Sequence, residues 1–134
     1  MSLAATAADR ELVAMARALI AARYRSRWHE IGAALLTTGG STFAAVHLEA
    51  NVGRVAVCAE AIAIGMAVAA GESTIETIVA VDADGDIVAP CGMCREMIGD
   101  YGPQARVLIA VDFELTAISI ETLLPLRPTS EYLA

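Results

Sequence analysis

The sequence contains no lysine. All nine basic residues are arginine, set against 16 acidic ones for a net charge of −7. Nucleic-acid backbones and anionic membranes reward clustered positive charge. We therefore expect no nucleic-acid partner and no membrane partner, and a small neutral or cationic molecule instead. Aromatic residues are scarce, at 4%, so the core has to be built from aliphatic and small side chains. Long uninterrupted apolar runs are also missing. The longest, residues 55–71, is broken by Glu60 and sits near the lower length limit for a membrane span, so it reads as a buried core helix. Residues 1–9 carry neither the basic start nor the apolar stretch of a secretory signal. There are only three cysteines, an odd number that does not make a disulfide framework. Without an export signal, they point to metal or thiol chemistry in a reducing cytoplasm.

What is present is apolar and small. The chain is 57% hydrophobic, and 28 of its 134 residues are alanine. That content rules out disorder and suits closely approaching elements in one domain, residues 1–134. Apolar periodicity predicts a helix over 9–24, with Asp9 as its cap. Strands over 31–37 and 42–48 follow, joined by a turn at Thr38-Gly39-Gly40-Ser41. A helix over 58–70 is stopped by Gly71. A buried strand over 75–81, a short extended piece over 87–89 and a helix over 91–101 come next. A strand over 106–111, a further one over 115–118 and a short helix over 119–124 complete the chain. Apolar strands alternating with helices imply an α/β fold, a three-layer α/β/α sandwich, and the opening hairpin makes its central sheet mixed. Met66, Met93 and Met97 read as core filler.

Two short motifs carry chemistry. Cys58-Ala59-Glu60 opens the second long helix, and Pro90-Cys91-Gly92-Met93-Cys94-Arg95 opens the third. A Cys-x-x-Cys at a helix start puts both sulfurs on one side of the first turn. Helix N-termini also offer unpaired N–H groups and partial positive charge, which favour thiolates. If the two helix starts face each other, Cys58, Cys91 and Cys94 form a three-ligand zinc site with a fourth position open, as catalytic zinc requires. Glu60 is the only charged residue between Arg54 and Glu72. A lone carboxylate in an apolar helix is costly unless paired or used, and here it can take a proton from water and pass it on. A structural zinc site, with His47 or His29 as fourth ligand, leaves Glu60 unexplained. A redox Cys-x-x-Cys leaves both Cys58 and Glu60 unexplained. Asp82-Ala83-Asp84-Gly85-Asp86 has the acidic rhythm of a calcium loop, but its glycine comes too soon and the closing glutamate is missing, so it reads as a solvated turn.

The pairing of Cys58-Ala59-Glu60 with Pro90-Cys91-Gly92-Met93-Cys94 resembles the cytidine deaminase superfamily. It is most similar to the small all-cysteine branch that includes cytidine deaminase and blasticidin-S deaminase. The resemblance runs from about residue 31 to residue 124. Ile31-Gly32-Ala33-Ala34-Leu35 looks like that branch's first strand, and Leu123-Leu124-Pro125 like its last helix end. The resemblance implies Zn2+ as cofactor, a homotetramer or other homo-oligomer, and hydrolytic deamination of a cytidine-like nucleoside or related aminated heterocycle. Glu60 would be the catalytic acid and base. Backbone groups around Ala59 and Pro90 would orient the amine and ring. The family's Asn-x-Glu, which holds ribose hydroxyls, corresponds to His47-Leu48-Glu49, and its usual aromatic near the nucleoside corresponds to His29. The arginine that commonly follows the catalytic glutamate is Ala61 here, leaving Arg54 or Arg95 to supply the compensating charge. Two alternatives stand beside this reading: a blasticidin-S-type antibiotic deaminase, and a non-catalytic zinc-stabilised binding domain of the same fold.

Overall fold

The protein is described from a computed structural model that covers residues 2–72 and 74–128. In chain order the elements are β1 (Ser2–Ala4), α1 (Ala7–Arg23), β2 (Ile31–Thr37), β3 (Thr42–Val46), α2 (Ala59–Ala69), β4 (Ile75–Asp82), β5 (Ile87–Val88), α3 (Gly92–Tyr101), β6 (Arg106–Val111), β7 (Glu114–Ser119) and α4 (Ile120–Leu123). One 3-10 turn, Gly53–Val55, lies between β3 and α2. The strands form a mixed sheet in the order β1-β7-β6-β4-β2-β3, with β5 paired to the end of β4. Among the described residues, β4 and β6 are the only paired strands that run parallel, and α3 lies in the connection between them. The sheet is thus mixed, as the hairpin predicts, with helices on both faces.

Period-two alternation sorts the strand residues onto the two faces. Ala34, Val79, Val81 and Leu108 pack with Leu12, Val13, Ala16 and Ile20 of α1. Leu35, Ile78 and Val107 pack on the opposite face with Ala63, Ile64 and Ala67 of α2, Ile98 of α3 and Ile120 of α4. Helix α1 approaches β2 so closely that a Cβ on Gly32 would lie 2.9 Å from the Ala16 carbonyl oxygen and 3.0 Å from Ile20 Cβ. Gly71, at φ +88°, ends α2. Its N–H donates to Val68 and the Glu72 N–H donates to Ala67, which together make a Schellman stop.

Several expectations need correction. The α1 cap is Thr6, not Asp9. Thr6 Oγ1 accepts from the Asp9 N–H at 3.1 Å, and Asp9 Oδ2 accepts from the Thr6 N–H at 2.9 Å, a reciprocal capping box with Asp9 inside the helix. Strand β1 was not anticipated: its three residues are exposed and carry no apolar pattern, and backbone pairing with β7 alone defines it. Met66, Met93 and Met97 are exposed rather than core, at 42%, 83% and 36%, because they lie on outward faces of α2 and α3. In the acidic turn, Asp82 Oδ1 accepts the N–H groups of Asp84 and Asp86, which closes the turn on itself.

Asp9 also ties α1 to the sheet. The Arg106 guanidinium donates to Asp9 Oδ1 at 2.8 Å and to Oδ2 at 2.7 Å, and reaches Thr77 Oγ1 at 3.2 Å. Thr77 and Arg106 are register partners across the parallel β4–β6 pair. Burial pushes the Asp9 carboxyl up, but the hydrogen bonds from Arg106 and Thr6 outweigh it and hold the group below the ordinary aspartate range. A lowered folded pKa stabilises the fold above the unfolded value of about 4 and loses that contribution as pH falls through the folded value. Asp9→Asn should therefore cost about 2–3 kcal/mol at pH 7. The gap from wild type should shrink below about pH 4 in denaturant titrations across pH. A gap that stays constant from pH 7 to pH 3 would show that the charge on Asp9 is not what matters.

Candidate active site

Strand directions decide where the site forms. β3 and β4 run the same way with β2 opposed between them, so the start of β2 and the ends of β3 and β4 share one edge of the sheet. Helices α2 and α3 both begin at that edge, the usual place for a ligand in an open α/β sheet. Mutual hydrogen bonds between Leu48 and Val57, at 3.0 and 2.9 Å, draw the chain leading into α2 back alongside the end of β3.

Each cysteine of the outer pair is a helix N-cap. Cys58 caps α2 in an extended conformation and makes no side-chain capping bond. Cys91 caps α3, and its sulfur accepts from the Cys94 N–H at 3.5 Å. Cys58 Sγ and Cys91 Sγ stand 3.9 Å apart, and all three sulfurs lie within 4.8 Å of one another. Two sulfurs bound tetrahedrally to one zinc at ≈2.3 Å are about 3.8 Å apart, so the donor set and its spacing fit zinc. Cys94 is buried and Cys58 half-buried, while Cys91 is exposed.

Glu60, in the first turn of α2, is only 6% exposed. Burial pushes its carboxyl up, and a hydrogen bond from its own main-chain N–H offsets this only in part. The thiols differ among themselves. Burial, then the nearby Glu60 charge, pushes Cys94 up. Burial also raises Cys58. At Cys91 burial opposes ionisation, but the Cys94 N–H and the neighbouring thiols outweigh it and hold that thiol down. The thiol that accepts at a helix start is thus the easiest to ionise.

A cavity of about 510 Å³ opens onto this cluster, and Cys58, Ala59, Glu60, Cys91, His47 and Glu49 all contribute to its wall. Sequence reasoning missed Glu30, Ile31, Ala56, Val57, Val88 and Ala89, which also line it. Most of these have no reactive group, and their only sequence signal is that they flank the motifs. His47 Nδ1 accepts the Glu30 N–H at 2.9 Å, and His47 Nε2 lies 3.6 Å from Glu49 Oε2. His29 does not line the cavity. Its Nδ1 pairs with the His47 main-chain oxygen at 2.9 Å, so it braces the β3 end from behind. Pro90 is buried beneath Glu60, and its carbonyl accepts from Arg95 Nε at 2.9 Å. Arg95 is thus spent on the turn before α3, and Arg54 is exposed on the 3-10 turn. Neither lines the cavity.

The sequence-family model for the cytidine and deoxycytidylate deaminase zinc-binding region matches residues 6–110. That match begins well before residue 31, so α1 belongs to the shared fold. A blasticidin-S deaminase from Bacillus cereus is 47% identical over 129 residues, 90% of this chain and 92% of the relative. A cytidine deaminase structure from Burkholderia pseudomallei is 29% identical, with a TM-score of 0.74 over 87% of this chain and 95% of that one. A variant cytidine deaminase from Mycobacterium tuberculosis shares the fold at a TM-score of 0.79 and 21% identity, covering 92% of this chain and 96% of that one.

The thiol cluster leads to a direct metal test. The purified protein should hold about one zinc per chain. Cys91→Ala should lose most of that metal on dialysis against a weak chelator and melt at a lower temperature, because the ion ties two helix starts together. Full retention of zinc by Cys91→Ala, read by elemental analysis, would mean the metal sits elsewhere.

Proposed function

Because the chain belongs to the cytidine and deoxycytidylate deaminase zinc-binding family, we propose that residues 1–134 act as one deaminase domain whose reaction takes place in the cavity at Cys58, Glu60 and Cys91. The protein is a zinc-dependent aminohydrolase. It hydrolyses an exocyclic amine from a cytidine-like nucleoside or related aminated heterocycle. Cys58, Cys91 and Cys94 hold the metal. Bound zinc supplies the Lewis acidity that makes water a competent nucleophile near neutral pH. Glu60 accepts the proton that water gives up on a carboxylate oxygen and delivers it to the ring nitrogen beside the carbon under attack. The water oxygen bonds to that carbon, Glu60 passes the second proton of the same water to the amine nitrogen, and the carbon–nitrogen bond breaks, so that ammonia leaves and a carbonyl stands in place of the amine. The main-chain groups around Ala59 and Pro90 orient the amine and ring, and the His47–Glu49 side of the cavity faces the rest of the substrate. His29 holds that side in place.

One observation carries this reading: a carboxylate almost wholly out of water lines the same cavity as Cys58 and Cys91, two of three converging thiols. A structural zinc site has no use for Glu60 there. The 47% identity to a blasticidin-S deaminase favours a second reading of the substrate, an antibiotic of that type. Histidine rather than asparagine at position 47 agrees with that second reading, because it changes the hydrogen bonds offered to a sugar hydroxyl.

Glu60→Gln keeps size and sulfur ligands and removes only the proton carrier. It should fold, hold zinc as wild type does, and lose at least ~10²-fold in ammonia release from the best substrate of an aminated-heterocycle panel. Full activity would overturn the mechanism, and loss of zinc would make Glu60 a support for the metal rather than the proton carrier.

We also propose a homotetramer working in the cytoplasm. Free cysteines suit a reducing compartment. Beyond Glu60, helix α2 is apolar around its whole circumference, a pattern that belongs inside a protein. Yet Gly65, Met66, Val68 and Ala69 are exposed in the single chain, as are Met93, Met97 and Tyr101 on α3. A second copy that covers these faces accounts for them. Light scattering at micromolar concentration should give a multiple of the 13.9 kDa chain, and Met66→Glu should shift it toward monomer. A wild-type monomer would overturn the assembly.

A further inference from the structure

Cys58 and Cys91 are lightly held. Cys58 Sγ makes no capping bond, and Cys91 Sγ accepts only the long 3.5 Å bond from the Cys94 N–H. The two sulfurs face each other at 3.9 Å. A disulfide needs about 2.05 Å. Rotation about the Cα–Cβ bonds of two lightly held side chains can supply the difference. Both residues have extended backbone at a helix start, Cys58 at φ −64°, ψ 147° and Cys91 at φ −68°, ψ 169°. Neither lies inside its helix, so a bond between them need not disturb a helical turn.

Access differs along the cluster. Cys58 and Cys91 line the cavity of about 510 Å³, whereas Cys94 is buried and does not line it. A cavity that admits a heterocycle admits a peroxide, whichever outer faces a second copy covers. Cys91 is the most exposed of the three thiols and Cys58 the next. Access and distance thus select the same pair, which joins two helices, over the Cys91–Cys94 pair within one motif.

We propose that Cys58 and Cys91 are a site of reversible oxidation by small peroxides, and that their disulfide and bound zinc exclude each other. The second half rests on the zinc reading above. In the metal-free site the Cys91 thiolate attacks one peroxide oxygen, the O–O bond breaks and hydroxide leaves, which makes Cys91 a sulfenic acid. The Cys58 thiolate then attacks that sulfur, the S–S bond forms and a second hydroxide leaves. Two electrons pass from the sulfurs to the peroxide, and the protons given up by the thiols convert both hydroxides to water. Two of the three metal donors are then consumed, and Cys94 alone is too few to hold zinc. A dithiol reductant reverses the bond by exchange and restores the donor set. The bond also ties α2 to α3, as the ion does in the loaded protein, so the oxidised chain keeps its fold while it cannot take up metal.

Counting thiols and metal tests this without any turnover. Zinc-loaded and metal-free protein would be treated with hydrogen peroxide in modest excess, then with dithiothreitol. Free thiols should fall from three to one per chain in both. Zinc should leave the loaded protein in step with that loss, read with a chromogenic chelator, and rebind in full after reduction. Alkylation of the oxidised protein should label Cys94 alone. Cleavage after Glu60 and Glu76 should release the peptide carrying Cys58 still joined to the one carrying Cys91. The oxidised metal-free protein should melt about 5 °C or more above the reduced metal-free protein. A bond between Cys91 and Cys94, oxidation that dithiothreitol cannot reverse, thiols that persist, zinc retained beside the disulfide, or a lower melting temperature on oxidation would each overturn the proposal. If the reduced protein held no zinc at this cluster yet closed the Cys58–Cys91 bond, the zinc reading would fail and the oxidation site would stand.

Discussion

Cys58 Sγ and Cys91 Sγ come within 3.9 Å because α2 and α3 start side by side at one edge of the sheet, each with a cysteine as its N-cap. That pairing constrains the rest of the site. Serine, threonine, aspartate and asparagine cap helices well because a side-chain oxygen satisfies an orphan N–H, and losing such a cap costs about 0.5–2 kcal/mol. Cys58 makes no capping bond and Cys91 makes a long one, so both helices begin less favourably than they could. Bringing three sulfurs together adds mutual repulsion once they ionise. Metal binding offsets both costs. The site is thus locally unfavourable as bare protein and completed by its ion.

Such a site needs a backing that does not yield. Ile98 of α3 and Ile64 of α2 are buried against Ile78 and Val107 of the sheet, which fixes the two helices on one face. On the other face, α1 is pressed onto β2 where Gly32 removes the side chain, and it is fastened at its N-terminal end by Asp9, Arg106 and Thr77. A buried ion pair of this kind adds little net stability over an apolar replacement. Its value is directional: a two-pronged guanidinium bond sets where the end of α1 lies along β4 and β6. Those strands carry the hairpin and helix that deliver Cys91 and Cys94.

Much of this was legible in the sequence, for identifiable reasons. Strands β2 and β6 have the bounds their apolar runs suggest, since both lie in the sheet interior with a strand paired on either side. Helices α2 and α3 begin one residue later than the cysteine motifs suggest, because each motif's leading cysteine is the cap itself. The capping box at Thr6 was present in the sequence, but Asp9 is an equally good cap by residue type, and only the turn geometry chooses between them. The three zinc-competent sulfurs and Glu60 could be found because their residue types are rare in this chain and occur at helix starts. The cavity walls at Ala56, Val57, Val88 and Ala89 could not, being ordinary small residues placed by tertiary folding. Hydrophobicity alone suggests that Met66, Met93 and Met97 are core, but the outward faces of α2 and α3 carry them.

The absence of lysine and the charge of the cavity belong to one pattern. Arginine is a planar fork suited to bridging fixed acceptors, and this chain uses its arginines that way. Arg106 clamps Asp9, Arg127 pairs with Asp100 and Glu96, Arg95 binds the Pro90 carbonyl, Arg17 the Gly85 carbonyl, Arg10 the Ala5 carbonyl, and Arg25 stacks on Trp28. None of these arginines lines the cavity. The carboxylates left facing it divide by depth. Glu60 is shielded from water, and burial pushes its carboxyl up, which favours its holding a proton. Glu30 and Glu49 line the same cavity but are exposed to solvent. The same residue type therefore stands in two environments within one cavity, and depth separates them.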